Sequence, residues 1–490
     1  MNVLKKILKI PNTEYNYKSI WQNALFVLVA VLMIAACFNV QDSAEKHVRD
    51  SVFYPIADVS GHSQYIKQFD AFKKGQLHLD MEVSDELLAL ENPYDPDARD
   101  DSGAEYYWDH VYFEGKYYSY FGIAPLLTVY LPYYIIKDAL PNDAVTCIVL
   151  AIYAVIFSAL AYREVVIRFC KKANLWLFLL GEIAFIMSTG IYLGLLCTDM
   201  YYIAVISAVA SSMAFVFFSF RAMREKNIIL RAILLVFSAL SLTLTVLSRP
   251  TAAIMCIAVF PIFAEFLFRI KRNTLRDSLI TVGAFVLPLA AGAAFVMWYN
   301  AARFGSPFDF GANYQLTVSD VSLNKLQREL LFSSVFSYFL YPFWIIKEKP
   351  YVIMGNQLVL PPEYYRYFYK EKYIGALAHG LPIGVLLYGR VVSLDEREGN
   401  RDHAKNAFVM LSALLSVFIA FFNFCYAGVN MRYIYDIVPL LSLVGGFIVL
   451  DLQGRNKGFM KLAYTLLSLV LFAVSFLAYT SVIETIREYL

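Results

Sequence analysis

Apolar runs of about twenty residues recur along this chain, separated by short polar links. Each is long enough to cross a hydrocarbon core of ~30 Å as a helix. The pattern predicts spans over 20–38, 143–163, 174–193, 199–221, 228–247, 251–269, 277–300, 373–389, 406–426, 431–450 and 459–480. No ten-residue alternation suggests a barrel, and lipid cannot satisfy open backbone groups. An all-α polytopic bundle of about 11 transmembrane helices is therefore expected.

One apolar run is unlike the others. Residues 117–136 contain Pro125, Pro132 and six tyrosines between Tyr117 and Tyr134. Basic residues gather at the N-terminus (Lys5, Lys6, Lys9, Lys18) and in Arg163–Lys172, Arg221–Lys226, Arg269–Arg276 and Arg455–Lys461. Lysine and arginine mark cytoplasmic loops, and all five basic segments share that side only if 117–136 does not cross. The run is expected to lie on, or dip into, the outer leaflet, and an ordinary crossing is the alternative. The N-terminus is then cytoplasmic, and two long loops, 39–142 and 301–372, face outside. No internal repeat or soluble terminal domain is evident, so residues 1–490 read as one membrane-embedded unit.

Composition narrows the class. The chain is 59% hydrophobic and 17% charged, with a net charge of +2. That balance excludes an ordinary soluble domain and gives no footprint for nucleic acid. Cys37, Cys147, Cys170, Cys197, Cys256 and Cys425 are far apart and form no CxxC, so they read as small apolar residues rather than a zinc or disulfide framework. The run 20–38 is too long for a signal-peptide core and reads as a retained first span.

Charge is concentrated early. Gln41 to Lys116 carries 17 acidic and 7 basic residues and ends in Trp108-Asp-His-Val-Tyr-Phe-Glu-Gly-Lys-Tyr-Tyr-Ser-Tyr-Phe. Asp58 and His62 precede a helix expected over Gln64–Lys74, with Ser60 or Ser63 near its N-cap. A carboxylate at Asp58 either acts as a general base towards a hydroxyl or simply caps and pairs. Asp109, Glu114 and Lys116 form a second cluster, with Gly115 permitting a tight turn. Lys116 either meets a lipid phosphate as a point charge or snorkels at the interface. Asp199 stands at the mouth of a span, where the helix dipole favours an acid. Arg249, Arg303 and Arg432 lie on the expected outer side, against the usual bias. They either clamp an anion or neutralise the acidic loop. Glu182 and His379 fall within spans and read as buried, hydrogen-bonded groups. No Walker loop, GxGxxG, HExxH or GxSxG is present. An outward-facing enzyme without nucleotide motifs needs a donor delivered in the lipid.

Together these residues resemble the GT-C superfamily of integral membrane glycosyltransferases, in the branch of protein mannosyltransferases and aminoarabinose transferases (family 39-related). The likeness runs through Ala57-Asp58, Glu114-Gly-Lys-Tyr-Tyr, Thr198-Asp199, Ser248-Arg-Pro-Thr251, Asn300–Gly311 and Arg432-Tyr433 through Pro439. It departs at Val59, where relatives carry a second acid, and at Tyr117-Tyr118, where they carry Pro-Pro. The resemblance implies inverting transfer of a sugar from a polyprenyl phosphate at the outer face of a bacterial plasma membrane. Asp58 is then the base, and Lys116 with Arg249, Arg303 and Arg432 holds the phosphate. His62, Asp109, Glu114 and Asp199 fall at the acceptor or a secondary site, where His62 takes over part of the missing acid's role or no metal is used. A divalent metal stays open as a cofactor. The acceptor is a glycan, lipid or protein. The second loop then covers the site, with Tyr338, Tyr341, Trp344, Tyr364, Tyr365 and Tyr367 stacking on sugars or anchoring at the interface. Two further readings are a lipid-linked saccharide transporter or flippase, which favours mid-membrane charge and inverted repeats, and a non-catalytic assembly factor.

Overall fold

The computed structural model describes residues 13–48, 64–270, 275–349, 351–355 and 372–489. Nine helices among them are long and apolar enough to cross a membrane: Ile20–Asp42, Asp143–Phe169, Met200–Arg224, Ile228–Val246, Pro250–Leu267, Leu275–Phe304, His403–Ala427, Val438–Arg455 and Gly458–Ile486. The protein is a polytopic helical membrane protein.

Two expected spans are not continuous helices. The run 174–193 divides into Leu175–Ser188 and Ile191–Leu196. At the break, Ser188 and Thr189 donate their hydroxyls to Phe185 O and Ile186 O, and Gly190 takes φ 83°. Around 373–389 the backbone forms tight 3₁₀ turns, Ala376–His379 and Leu381–Leu387, then the helix Tyr388–Arg397. Gly380 (φ 79°) and Pro382 interrupt the α ladder there. This chain still travels the length of the bundle. Ile374 N–H contacts Met431 Sδ at one end, and Asp395 meets Lys405 and Arg455 at the other.

Capping residues decide several boundaries. Asn142, Asn174, Asp199, Asn227 and Asp402 each accept from an N–H in the first turn of the following helix. Serines inside the helices turn back on their own backbones or meet in pairs. The pairs Ser207–Ser248 and Ser219–Ser238 are both 2.8 Å apart and join neighbouring helices without exposing a hydroxyl to lipid.

The two ends of the bundle differ in character. One end gathers ion pairs. Asp395 bonds Lys405 (2.5 Å) and Arg455 (2.8 Å), Arg455 also reaches Asp451 and Glu398, and Arg224 grips buried Glu164. The other end carries a cap built from the first and second long loops. Leu126–Lys137 also lies in the first loop, as a π turn followed by a short helix. Its twelve residues extend about 18 Å, well short of a hydrocarbon core.

The cap contains strands, a feature absent from the helix-only expectation. β1 (Val111–Phe113) pairs antiparallel with β2 (Lys116–Tyr118) across Glu114 and Gly115. Both turn residues have positive φ, 48° and 73°, the geometry of a two-residue type I′ hairpin. β1 also bridges to Gln315, and Asp109 N–H and His110 O complete the contact with Leu316 at 2.9 Å each. A second hairpin pairs β3 (Phe343–Ile345) with β4 (Val352–Met354).

Arg99 fastens the two loops. It is fully buried, stacks on Tyr106 and donates to Pro93 O (2.8 Å) and Thr317 O (2.7 Å). Arg99→Ala leaves two carbonyls without their donor, at roughly 1–3 kcal/mol each. Faster hydrogen exchange at Asp109 and Leu316 is the expected result, with the transmembrane helices unchanged. Unchanged exchange at those two amides would show that the loops hold together without it.

Candidate active site at the capped end

Helix termini bring most of the candidate residues together. Asp199 is the N-cap of Met200–Arg224, and its carboxylate accepts from Tyr202 N at 3.0 Å. Two residues on, the Tyr201 hydroxyl donates to Asp109 Oδ2, and Gln315 Nε2 reaches Asp109 Oδ1 at 3.2 Å. Asp109 itself has φ 54°, a strained position for a residue with a side chain. Arg432 stacks 4.0 Å over the Tyr201 ring. First loop, second loop and two helix ends therefore meet at one carboxylate.

Arg249 lies at the start of Pro250–Cys256. It grips Asp436 bidentately, Nε to Oδ1 at 2.7 Å and Nη2 to Oδ2 at 2.9 Å. Thr251 Oγ1 (2.8 Å) and Asn423 Nδ2 (3.4 Å) complete the carboxylate's partners. Tyr120 links the two clusters, since Arg249, Arg432, Asp109 and Tyr433 all act on its hydroxyl electrostatically. Its backbone is held close by Gly122, where an added Cβ would lie 1.9 Å from Leu247 O.

Arg303 ends Leu275–Phe304. It is 7% exposed, lies over the Tyr299 and Phe304 rings, and bonds Asn300 Oδ1 at 3.1 Å and Ser119 O at 3.4 Å. Among the described residues no carboxylate pairs with it. Asp309 acts on it only from beyond ion-pair distance; a buried guanidinium with so little counter-charge is costly, and that cost falls when an anion arrives.

Glu114 and Lys116 stand exposed on the β1–β2 hairpin, and among the described residues no hydrogen bond or ion pair joins them to the polar cluster. Asp58 and His62 lie outside the described residues, as do Tyr364, Tyr365 and Tyr367. The helix after them is Gln64–Lys73. Its Gln64 Nε2 donates to Asp109 O at 3.1 Å, and Gln68 Nε2 to the Tyr299 hydroxyl at 2.9 Å. This helix thus touches Asp109 and the tyrosine over which Arg303 lies. Glu182 and His379 are buried within the bundle as expected, but among the described residues neither Glu182 oxygen nor His379 Nε2 has a hydrogen-bond partner, and the His379 ring lies 5.5 Å from that of Tyr435. Among the described residues no three His, Cys, Asp or Glu side chains are grouped to hold a metal ion.

Several site residues escape the sequence reading. Asp436 is hidden in an apolar span, and Tyr201 and Gln315 are ordinary polar residues until the fold aligns them. His110 is buried against Gln64, and burial pushes it down to about 4, so the ring is neutral near pH 7. Its Nδ1 lies 2.9 Å from Trp108 O and 3.2 Å from Gln64 Nε2.

Burial raises Asp199 from its ordinary 3.8 to about 7, against the pull of the Tyr202 amide and Arg432. Between those values the folded chain keeps a proton that the unfolded chain has lost. Stability therefore falls as pH rises from about 4 to about 7. Asp199→Asn should flatten that part of the profile in detergent melts. An unchanged slope would exclude Asp199 as its source.

A cavity of about 20 Å³, room for about one water, lies beside Asp436 between three helices, lined by Val205, Val209, Met213, Val216, Ala252 and Pro439.

No family model and no curated protein matches the chain. Among solved structures it is similar to an oligosaccharyltransferase of Archaeoglobus fulgidus in its apo form, at 12% identity and a TM-score of 0.46. The alignment covers 96% of this chain and 56% of that one, so this chain spans little more than half its length. A likeness of that size is one of outline, and neither fold membership nor function follows from it.

Proposed function

We propose that this protein is a GT-C-like membrane glycosyltransferase that takes a sugar from a polyprenyl-phosphate donor at the capped end of the bundle. One observation carries the reading. Arg249, gripped by Asp436, and Arg432, stacked on the tyrosine that holds Asp109, stand at the end of the bundle that carries the two-loop cap, and buried Arg303 reaches Ser119 O of the first loop there.

In this reading the donor's chain stays in the surrounding bilayer and its phosphate lies among the arginines at the capped end. Arg303 and Arg432 hold the phosphate, with Lys116 reaching in from the hairpin. Arg249 has two donors committed to Asp436 and offers its remaining Nη1. The acceptor hydroxyl attacks the anomeric carbon from the opposite face, and configuration inverts. Its proton passes to Asp58 as the sugar–phosphate bond breaks and the electron pair leaves with the phosphate oxygen. The arginines stabilise that developing charge. Asp109 and Asp199 orient the acceptor. The capped end faces outside, in keeping with the basic loops at the other end.

Purified protein in liposomes with radiolabelled polyprenyl-phosphate sugars and a crude envelope acceptor fraction tests this. Label should leave the lipid for the acceptor, with the released polyprenyl phosphate in equal amount. Label that crosses the bilayer still attached to its lipid would replace the proposal with a flippase.

A further inference from the structure

The ion-paired end holds a second site that sugar transfer does not use. A cavity of about 230 Å³ opens there between Asp143–Phe169, Met200–Arg224 and Pro250–Leu267. Its polar wall is Glu164, Arg168, Arg224 and Glu265, and its apolar wall includes Phe220, Ile262 and Phe266. Both arginines sit in the last turn of their helices, the depth at which headgroups border hydrocarbon.

The hydrogen bonds show what remains on offer. Arg224 gives Nε (3.0 Å) and Nη2 (2.6 Å) to Glu164, leaving Nη1 without a bond among the described residues. Arg168 gives Nη1 to Asp402 (2.9 Å) and Nη2 to Glu265 (2.8 Å), leaving Nε likewise. The two arginine side chains are 32% and 31% exposed, and both line the cavity. Glu164 is sealed at 2%, whereas Glu265 is 23% exposed. The accessible wall thus presents guanidinium donors beside a carboxylate. A simple anion meets Glu265 unfavourably, and a simple cation meets the arginines. A ligand that carries phosphate and ammonium a few bonds apart satisfies both. The volume suits a headgroup and is below the ~300–1,000 Å³ that encloses a drug-sized ligand.

We propose that this cavity binds the headgroup of a zwitterionic phospholipid with a primary amine, from the leaflet bordering that end. The phosphate accepts from Arg224 Nη1 and Arg168 Nε, the ammonium donates to Glu265, and an acyl chain leaves along Ile262 and Phe266. The proposal is independent of the glycosyltransferase reading, whose site lies at the other end.

Native mass spectrometry of the full chain with equal amounts of phosphatidylethanolamine, phosphatidylcholine and phosphatidylglycerol tests it. Phosphatidylethanolamine should be retained over both competitors. Glu265→Gln, which leaves the Arg168–Asp402 pair in place, should lower its preference over phosphatidylcholine about tenfold, the scale of one charge-assisted contact. Met223→Trp fills the cavity without touching an ion pair and should reduce retention of all three lipids. Melting in lipid-free detergent checks folding, and Met223→Trp decides alone if Glu265→Gln does not fold. Equal retention of the ethanolamine and choline lipids would overturn recognition of the amine. Preference for the glycerol lipid would overturn the zwitterion, and retention unaffected by Met223→Trp would overturn the cavity itself.

Discussion

Asp58→Asn is expected to lower sugar transfer by roughly 10²–10⁴-fold, the contribution typical of a positioned general base. The asparagine keeps the size and loses the proton acceptor, so donor binding should hardly change. Lys116→Ala is expected to cost less, roughly ten- to hundredfold, as one charge-assisted contact to phosphate. It should also act through the donor, raising its KM or accelerating its release. The measurement is initial transfer rate in liposomes across donor concentrations. Full activity in both variants would end the proposed mechanism. Loss in Asp58→Asn with transfer intact in Lys116→Ala would keep the base and move the phosphate onto the arginines alone.

The second large effect concerns Arg249 and Asp436. Their bidentate pair is nearly closed to solvent, with Asp436 at 2% exposure. Arg249→Ala strands that carboxylate with only Thr251 and Asn423, and breaking one side of a buried pair costs roughly 3–5 kcal/mol. Arg249→Ala should therefore lower the melting temperature in detergent far more than an alanine at exposed Lys116. Asp436→Asn combined with Arg249→Ala should recover part of the loss, because no isolated charge remains. If the double variant is as unstable as the sum of the singles, the pair is not coupled and the geometry argument fails. Arg249→Lys is not a conservative control, since an ammonium cannot make two parallel bonds to one carboxylate. Its melting temperature should fall between those of the wild type and Arg249→Ala.

The same two residues show how much of the site was legible beforehand. Arg249 announced itself because an arginine at a short link between two spans is unusual. Asp436 gave no such signal, since Tyr435-Asp-Ile-Val looks like the beginning of an apolar span. Asp109 stood out in a charged cluster of the first loop, and Asp199 as an acid at the mouth of a span. That a tyrosine two residues beyond Asp199 holds Asp109 depends on how the first loop folds back over the helix. The β1–β2 hairpin had a local cue in Glu114-Gly115, but the run of aromatics around it masked any alternation. Arg99 looked like one charge in an acidic, solvated loop. Its burial follows from Pro93 and Thr317, distant in the chain, presenting carbonyls to the same guanidinium.

By itself, the sequence determined that the chain crosses a membrane many times as helices. Hydrophobic length is a local property, and lipid leaves the backbone no other way to satisfy its hydrogen bonds. Its helix ends and basic links were also local, and they named most of the residues worth examining. Tertiary structure alone decided which of those residues meet. Loop closure, the break at Gly190, the 3₁₀ path past Gly380 and the partners of Arg249, Asp109 and Arg99 all depend on contacts between distant segments. Ion-pair geometry and burial exist only once those segments are packed, so no periodicity along the chain could have shown them.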